Sequence, residues 1–217
     1  MTEMTEVNRP PPLFFLSYAH SSSGDSNAAP RERNRQVLKF FNDLSENVAW
    51  LVSRSPGSDP GFMDRSIGYG SRWTPELLQV IGTCQVFIAL LSDPYIKSSW
   101  CGKEWYAFSQ RKVIAQREVE HQSAIIPVIW APFPDELTPA AIHDVQRFSP
   151  SGLAHVDIVA KYEQNGILGL MQMRNASYRG IVWRLAQCVA GFHYSHRVEP
   201  RTLGPDELHD IFQEYRP

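Results

Sequence analysis

The sequence predicts an α/β domain built on a parallel sheet with helices on both faces. LFFLSY at residues 13–18, VFIALL at 86–91 and AIIPVIW at 124–130 are short runs almost free of polar side chains, as expected for strands buried on both faces. Segments with three- and four-residue apolar spacing separate these runs, and strands alternating with helices imply right-handed crossovers within one sheet. At 217 residues the chain is long enough for one domain with a substantial core.

Each element follows from its local pattern. Residues 1–12 are polar and end in three prolines, which lack a backbone donor and favour extended chain, so they are expected to be a disordered lead-in. The domain is expected to span 13–196, with 197–217 as a C-terminal tail. After the first strand, SSSGDSNAAP stops the apolar run; then Val37, Leu38, Phe41, Leu44 and Val48 give a helix from Arg31 one buried face. A glycine- and proline-rich stretch follows, with room for a short second strand ending near Phe62 or Met63. Thr74, Pro75 and Glu76 open a helix running to about Thr83, with threonine as cap and proline at the first helical position.

VFIALL is the third strand. The next helix carries Trp105, Phe108 and Val113 and is expected to end near Glu120, ahead of the fourth strand at AIIPVIW. PFPDELTPAAIHDVQRF is broken by prolines and holds one or two helical turns, and LAHVDI at 153–158 is read as a last edge strand. Ile181, Val182, Leu185, Val189 and Phe192 mark a closing helix from Tyr178 to about Tyr194, and DELHDIFQEY beyond it is a further short helical segment. There is no internal repeat.

Composition narrows the function classes. The net charge of −2 with 20% charged residues provides no field to recruit nucleic acid or an anionic membrane. Cys84, Cys101 and Cys188 lie far apart and form no CxxC pair, so neither a disulfide framework nor a zinc site is expected. His193 and His196 have helical spacing but no acidic or cysteine partner nearby in sequence, so no metal is expected there either. The N-terminus has neither a basic start nor an apolar run, and no segment is long enough to span a bilayer. A cytoplasmic location is the expectation.

In an open parallel sheet, ligands bind beyond the carboxyl ends of the strands, where the order of strand addition reverses. With the order 2-1-3-4-5 that crevice lies between the first and third strands. It is fed by SYAHSSS, by SDPYIKSSWCGKE and by the neighbouring loop GYGSRW. Glu104 stands four residues after Trp100, on the same helical face, and Trp105 and Phe108 lie on the adjoining apolar face. A half-buried carboxylate there suits cleavage of a glycosidic bond, because its charge stabilises or traps an oxocarbenium-like centre. Trp100 would wall the pocket and stack on a flat ring. Equally, a glutamate in a first helical turn complements the helix dipole by about 0.3–1 kcal/mol and needs no other purpose. Spacing leaves both readings open. Cys101 reads as a small buried packing residue.

FFLSYAH, MDRSIGYGSRW, VFIALLS and above all SSWCGKEW occur in this order and resemble the Toll/interleukin-1 receptor (TIR) domain family over roughly residues 13–130. The resemblance implies a flavodoxin-like fold with a five-stranded parallel sheet. It also implies, as in many bacterial, plant and some animal members, cleavage of NAD+ at the nicotinamide–ribose bond with Glu104 as the catalytic residue. The rest of the site maps to Ser17, Tyr18, Ala19 and His20 on the first-strand loop and to Asp64, Gly68, Arg72 and Trp73 after the second strand. Tyr18 would stack on a base or ring, and the Arg72 guanidinium would pair with a diphosphate. Gly68 and Gly70 supply turn geometry; Trp73 stands where a third glycine would complete a dinucleotide fingerprint, so NAD+ is expected as a substrate and no cofactor is implied.

Self-association through TIR–TIR contacts and a separate effector or sensor protein are the implied partners, with stress or antiphage signalling as the setting. Two other classes compete. One is a non-catalytic TIR adaptor whose second-strand loop recruits a like domain; the other is a nucleoside-processing glycosyl transferase of related fold.

Overall fold

The computed structural model describes residues 10–20, 29–55, 57–64, 74–116, 123–153 and 157–213, with side chains from residue 34 onward in the first helix. Its helices are α1 (Ala29–Leu51), α2 (Pro75–Thr83), α3 (Asp93–Ile96), α4 (Ser99–Ser109), α5 (Ala140–His143), α6 (Ile158–Gln172) and α7 (Ser177–Ser195). Val37, Phe41, Leu44 and Val48 are buried along α1, as their spacing predicts. Thr74 caps α2, its hydroxyl oxygen accepting the Leu77 N–H at 3.2 Å.

The main sheet is parallel. β1 (Phe14–Ser17) lies between β2 (Gly61–Met63) and β3 (Val86–Leu91); β4 (Val113–Ala115) leaves this sheet, and β5 (Ile125–Ile129) completes it beside β3, giving the order β2-β1-β3-β5. Alternation of side chains along β1 sends Phe14 and Phe15 to opposite faces. The Phe14 ring meets Phe41 of α1 at 5.8 Å, and Phe15 stacks on its register partner Phe87 at 5.5 Å. Phe87 in turn carries Trp105 and Phe108 of α4. One face is therefore covered by α1, against which α7 packs, and the other by α4 with α2 beside it.

Four features differ from the sequence-based expectations. The helix bearing Trp105 ends at Ser109, because the buried Arg111 side chain turns inward to donate to the carbonyls of Ile81 and Cys84. Val113 belongs to β4, antiparallel to β6 (His196–Val198), and not to that helix.

The sheet holds four strands among the described residues, with no fifth. Residues 154–156 of the expected edge strand lie outside the described residues, and Ile158 opens α6. The outer edge of β5 is satisfied in another way: the Pro127 carbonyl accepts the Phe148 N–H, and the Ile129 N–H donates to the Tyr162 hydroxyl, each at 2.8 Å. Pro127 itself marks the run as an edge strand, since proline has no donor to offer a further neighbour.

α6 is a helix that periodicity does not reveal, because Gly166 (φ 61°, ψ 179°) interrupts it. A Cβ at that position would lie 2.6 Å from the Trp130 carbonyl oxygen, so the chain passes β5 there as only glycine can.

The segment after His196, read as a tail, packs back onto the domain. Leu203, Leu208 and Phe212 are buried, and the Arg201 N–H donates to the Gly82 carbonyl at 2.9 Å. In place of the expected short helix, the described part holds a 3-10 turn at Pro205–Glu207.

Candidate active site

α4 starts on Ser98, whose hydroxyl oxygen accepts the Cys101 N–H at 3.2 Å. This places Glu104 beyond the first turn, which contains no acidic residue. Stabilisation by the helix dipole falls off within that turn, so the helix-end role does not explain this carboxylate. Glu104 is 3% exposed. Its Oε1 accepts from Trp100 Nε1 at 3.0 Å and its Oε2 from the Ser17 hydroxyl at 2.5 Å. The Ser17 oxygen also lies 3.0 Å from the Tyr95 hydroxyl.

The sheet brings these groups together. Ser17 is the last residue of β1, and Tyr95 and Glu104 follow β3, the strand paired with β1. The cluster thus stands at the carboxyl ends of adjacent strands, where open parallel sheets bind ligands. Burial pushes the Glu104 carboxyl up to about 8 and the charge of Asp64 adds to this, while the Ser17 and Trp100 bonds pull the other way. Its proton affinity is therefore poised near neutrality, and a cation arriving beside it would favour the ionised form.

The neighbouring groups are inert by contrast. Burial, followed by the charges of Cys101 and Glu104, pushes the Tyr95 phenol well up, so it remains an O–H donor. Burial and Glu104 likewise push up the Cys101 thiol, which leaves no thiolate nucleophile.

Tyr18 is buried; its hydroxyl donates to the Asp64 carbonyl at 2.8 Å and its ring meets His20 at 4.3 Å, tying the ends of β1 and β2 together. Ala19 packs against the core and His20 is half-buried; burial holds the His20 imidazole below its usual value, against the opposing charge of Asp64. Asp64 is itself buried directly after β2. Ser17, Tyr18, Ala19, His20, Asp64, Trp100 and Glu104 are described, whereas Gly68, Arg72 and Trp73 lie outside the described residues.

Tyr95 is the group that sequence reasoning passed over. Its only signal was an aromatic residue in SDPYIK, directly after a fully buried strand. A groove of 710 Å³ beside α1 and α7, with Asp43, Trp50 and Arg174 on its walls, includes none of the cluster residues. Among the described residues no group of three or more His, Cys, Asp or Glu side chains is placed to hold a metal.

A family model described as TIR domain matches residues 14–168. The chain belongs to the TIR domain family. The matched span runs from β1 into α6 and includes Ser17, Asp64, Trp100 and Glu104 of the cluster. α7, β6 and the segment that packs back onto this TIR domain lie beyond it. The parallel order β2-β1-β3-β5 with flanking helices agrees with the flavodoxin-like fold of TIR domains. No curated protein matches the chain. No helix among the described residues is long and apolar enough to cross a membrane.

Proposed function

We propose that this TIR domain cleaves NAD+ at the nicotinamide–ribose bond, as a glycohydrolase or ADP-ribosyl cyclase, in stress or antiphage signalling. The observation that carries the reading is the buried Glu104 carboxylate held by Ser17 and Trp100 at the carboxyl ends of β1 and β3. NAD+ presents a cationic nicotinamide ring, which favours ionisation of a carboxyl poised near neutrality. The C1′–N1 bond breaks, its electron pair neutralises the nicotinamide nitrogen, and Glu104 stabilises or traps the ribosyl cation. Water then gives linear ADP-ribose, or an adenine nitrogen gives the cyclic product. Trp100 shapes the pocket, and Tyr18, Ala19, His20 and Asp64 border it. Gly68, Arg72 and Trp73 complete the nucleotide site, with Arg72 on the diphosphate, as the family resemblance implies.

Both carboxylate oxygens are engaged within the chain and Glu104 is 3% exposed, so catalysis requires the site to open. Self-association through TIR–TIR contacts, or a separate effector or sensor protein, would supply that opening. The same closure favours a second reading, a non-catalytic adaptor. Nicotinamide release from NAD+, followed by chromatography in dilute and crowded solution with Glu104→Gln as control, tests the choice. Release that depends on Glu104 supports cleavage, while intact self-association without release under either condition supports the adaptor. Activity on deoxynucleosides alone would indicate the nucleoside-processing enzyme.

A further inference from the structure

The segment that returns after β6 reaches the interior next to the candidate site. Phe212 is fully buried, its ring 6.0 Å from that of Tyr95 in α3 and 6.0 Å from that of Trp105 in α4. We infer that Phe212 and Tyr95 are positioning residues for Glu104: Phe212 holds the Tyr95 ring, and the Tyr95 hydroxyl sets the direction of the Ser17 hydroxyl on the carboxylate. This deepens the NAD+-cleaving reading and rests on it for its catalytic meaning.

The hydrogen-bond inventory fixes the direction of the chain. A serine hydroxyl has one proton and two lone pairs, an ionised carboxylate only accepts, and a phenol has one proton. When Glu104 is ionised, the Ser17 proton is committed to Oε2, so across the 3.0 Å contact Tyr95 must donate to Ser17. When Glu104 is protonated the chain can reverse: Glu104 donates to Ser17, and Ser17 donates to Tyr95. Burial keeps the phenol protonated throughout. Donation from Tyr95 polarises the Ser17 hydroxyl and strengthens its bond to the ionised carboxylate.

Phe212 is anchored where it acts. The Asp210 side chain accepts the Phe212 N–H at 3.1 Å, and a Cβ on Gly102 of α4 would lie 2.2 Å from the same Asp210 oxygen. Arg201 adds a bond from its guanidinium to the Gln110 carbonyl, just past α4, at 3.0 Å. The His209 ring meets Tyr106 edge-on at 4.9 Å. The segment thus lies along α4, with Phe212 wedged between the two helices that supply Tyr95 and Glu104. Without the phenyl ring, a cavity opens beside Tyr95 into which it can move away from Ser17.

The test is the titration of the Glu104 carboxyl in the full chain, followed by carboxyl ¹³C NMR and assigned by its loss in Glu104→Gln. Tyr95→Phe, which keeps the ring and removes only the hydroxyl, is expected to raise the midpoint by about half to one pH unit, the equivalent of one hydrogen bond. Phe212→Ala should raise it similarly and Phe212→Leu less, while Leu170→Ala, a core change in α6, should lower the melting temperature without moving the midpoint. Nicotinamide release should fall in kcat with KM little changed for Tyr95→Phe. An unmoved midpoint in folded Tyr95→Phe would overturn the inference, as would an equal displacement in Leu170→Ala. The titration reads the chain of hydroxyls even where the parent protein releases no nicotinamide, so failure of this inference is distinguishable from failure of the NAD+-cleaving reading.

Discussion

Ser17 and Glu104, 87 positions apart in the chain, share a 2.5 Å hydrogen bond that joins the end of β1 to the second turn of α4. The serine proton is directed at one carboxylate oxygen while Trp100 holds the other. These contacts offset only part of the cost of burying the charge, and that imbalance governs how the protein responds to pH and substitution.

Stability is expected to fall as pH rises between about 4.5 and about 8 through the Glu104 contribution. The folded-state value is raised from 4.5 to about 8, so across this window the folded chain keeps a proton that the unfolded chain releases. The contribution is complete below 4.5, is lost through the window at no more than about 1.4 kcal/mol per pH unit, and is level above it. Glu104→Gln cannot titrate, so its stability relative to the parent should improve steadily from pH 5 to 8 in urea unfolding. A difference that is flat with pH would show that the carboxyl is not raised.

Catalysis should show the opposite trend. If Glu104 acts in its ionised form, kcat/KM for nicotinamide release increases with pH, reaches half its limit near 8, the value for the free protein, and levels off above that. A profile that is flat from pH 5 to 9 would remove Glu104 from the chemical step.

Trp100→Phe preserves an aromatic wall but removes the Nε1 donor to Oε1. The ionised carboxylate then loses about 1 kcal/mol of support. The limb of the pH–rate profile should move up by somewhat less than one unit, with roughly five-fold slower release at pH 7. An unchanged limb would show that the indole only shapes the pocket.

Arg111 has a structural role. Its buried guanidinium donates to the carbonyls of Ile81, Cys84 and Glu199 at 2.8, 2.6 and 3.1 Å, joining the end of α2 to the chain after β6. Arg111→Met should cost about 3 kcal/mol by leaving these acceptors without a donor. Thermal melting measures the loss, and the release rate per folded molecule should not change.

Gly166→Ala places a Cβ 2.6 Å from the Trp130 carbonyl oxygen at a φ of 61°. Strain and contact together should cost about 1–3 kcal/mol, read as a lower urea midpoint; an unchanged midpoint would mean that the kink in α6 relaxes freely.

The contrast between what could and could not be read in the sequence is local. Phe14 to Leu16 and the run from Val86 to Leu91 announce strands because burial on both faces excludes polar residues from them. α1, the cap at Thr74 and the extent of α7 follow from apolar spacing and a single side-chain bond. α6 was hidden because Gly166 breaks its period, and β4 and β6 because three residues are too few to show alternation. At the site, SSWCGKEW was enough to single out Trp100 and Glu104. Tyr95 and Phe212 carry no comparable local signal.

By itself, then, the sequence determined the two fully buried strands β1 and β3 and the run that holds β5, that Trp100 and Glu104 share a helical face, and, through SSWCGKEW, the family. Those properties depend on neighbours within a few residues, or on a motif that stays intact along the chain. Only the tertiary structure decided that Glu104 lies beyond the first turn, that the β1 serine donates to it, and that the segment after β6 packs beside Tyr95. Parallel pairing of β1 with β3 is the reason: it brings the ends of two distant strands together, and the burial that raises the Glu104 carboxyl arises only when all these segments pack at once.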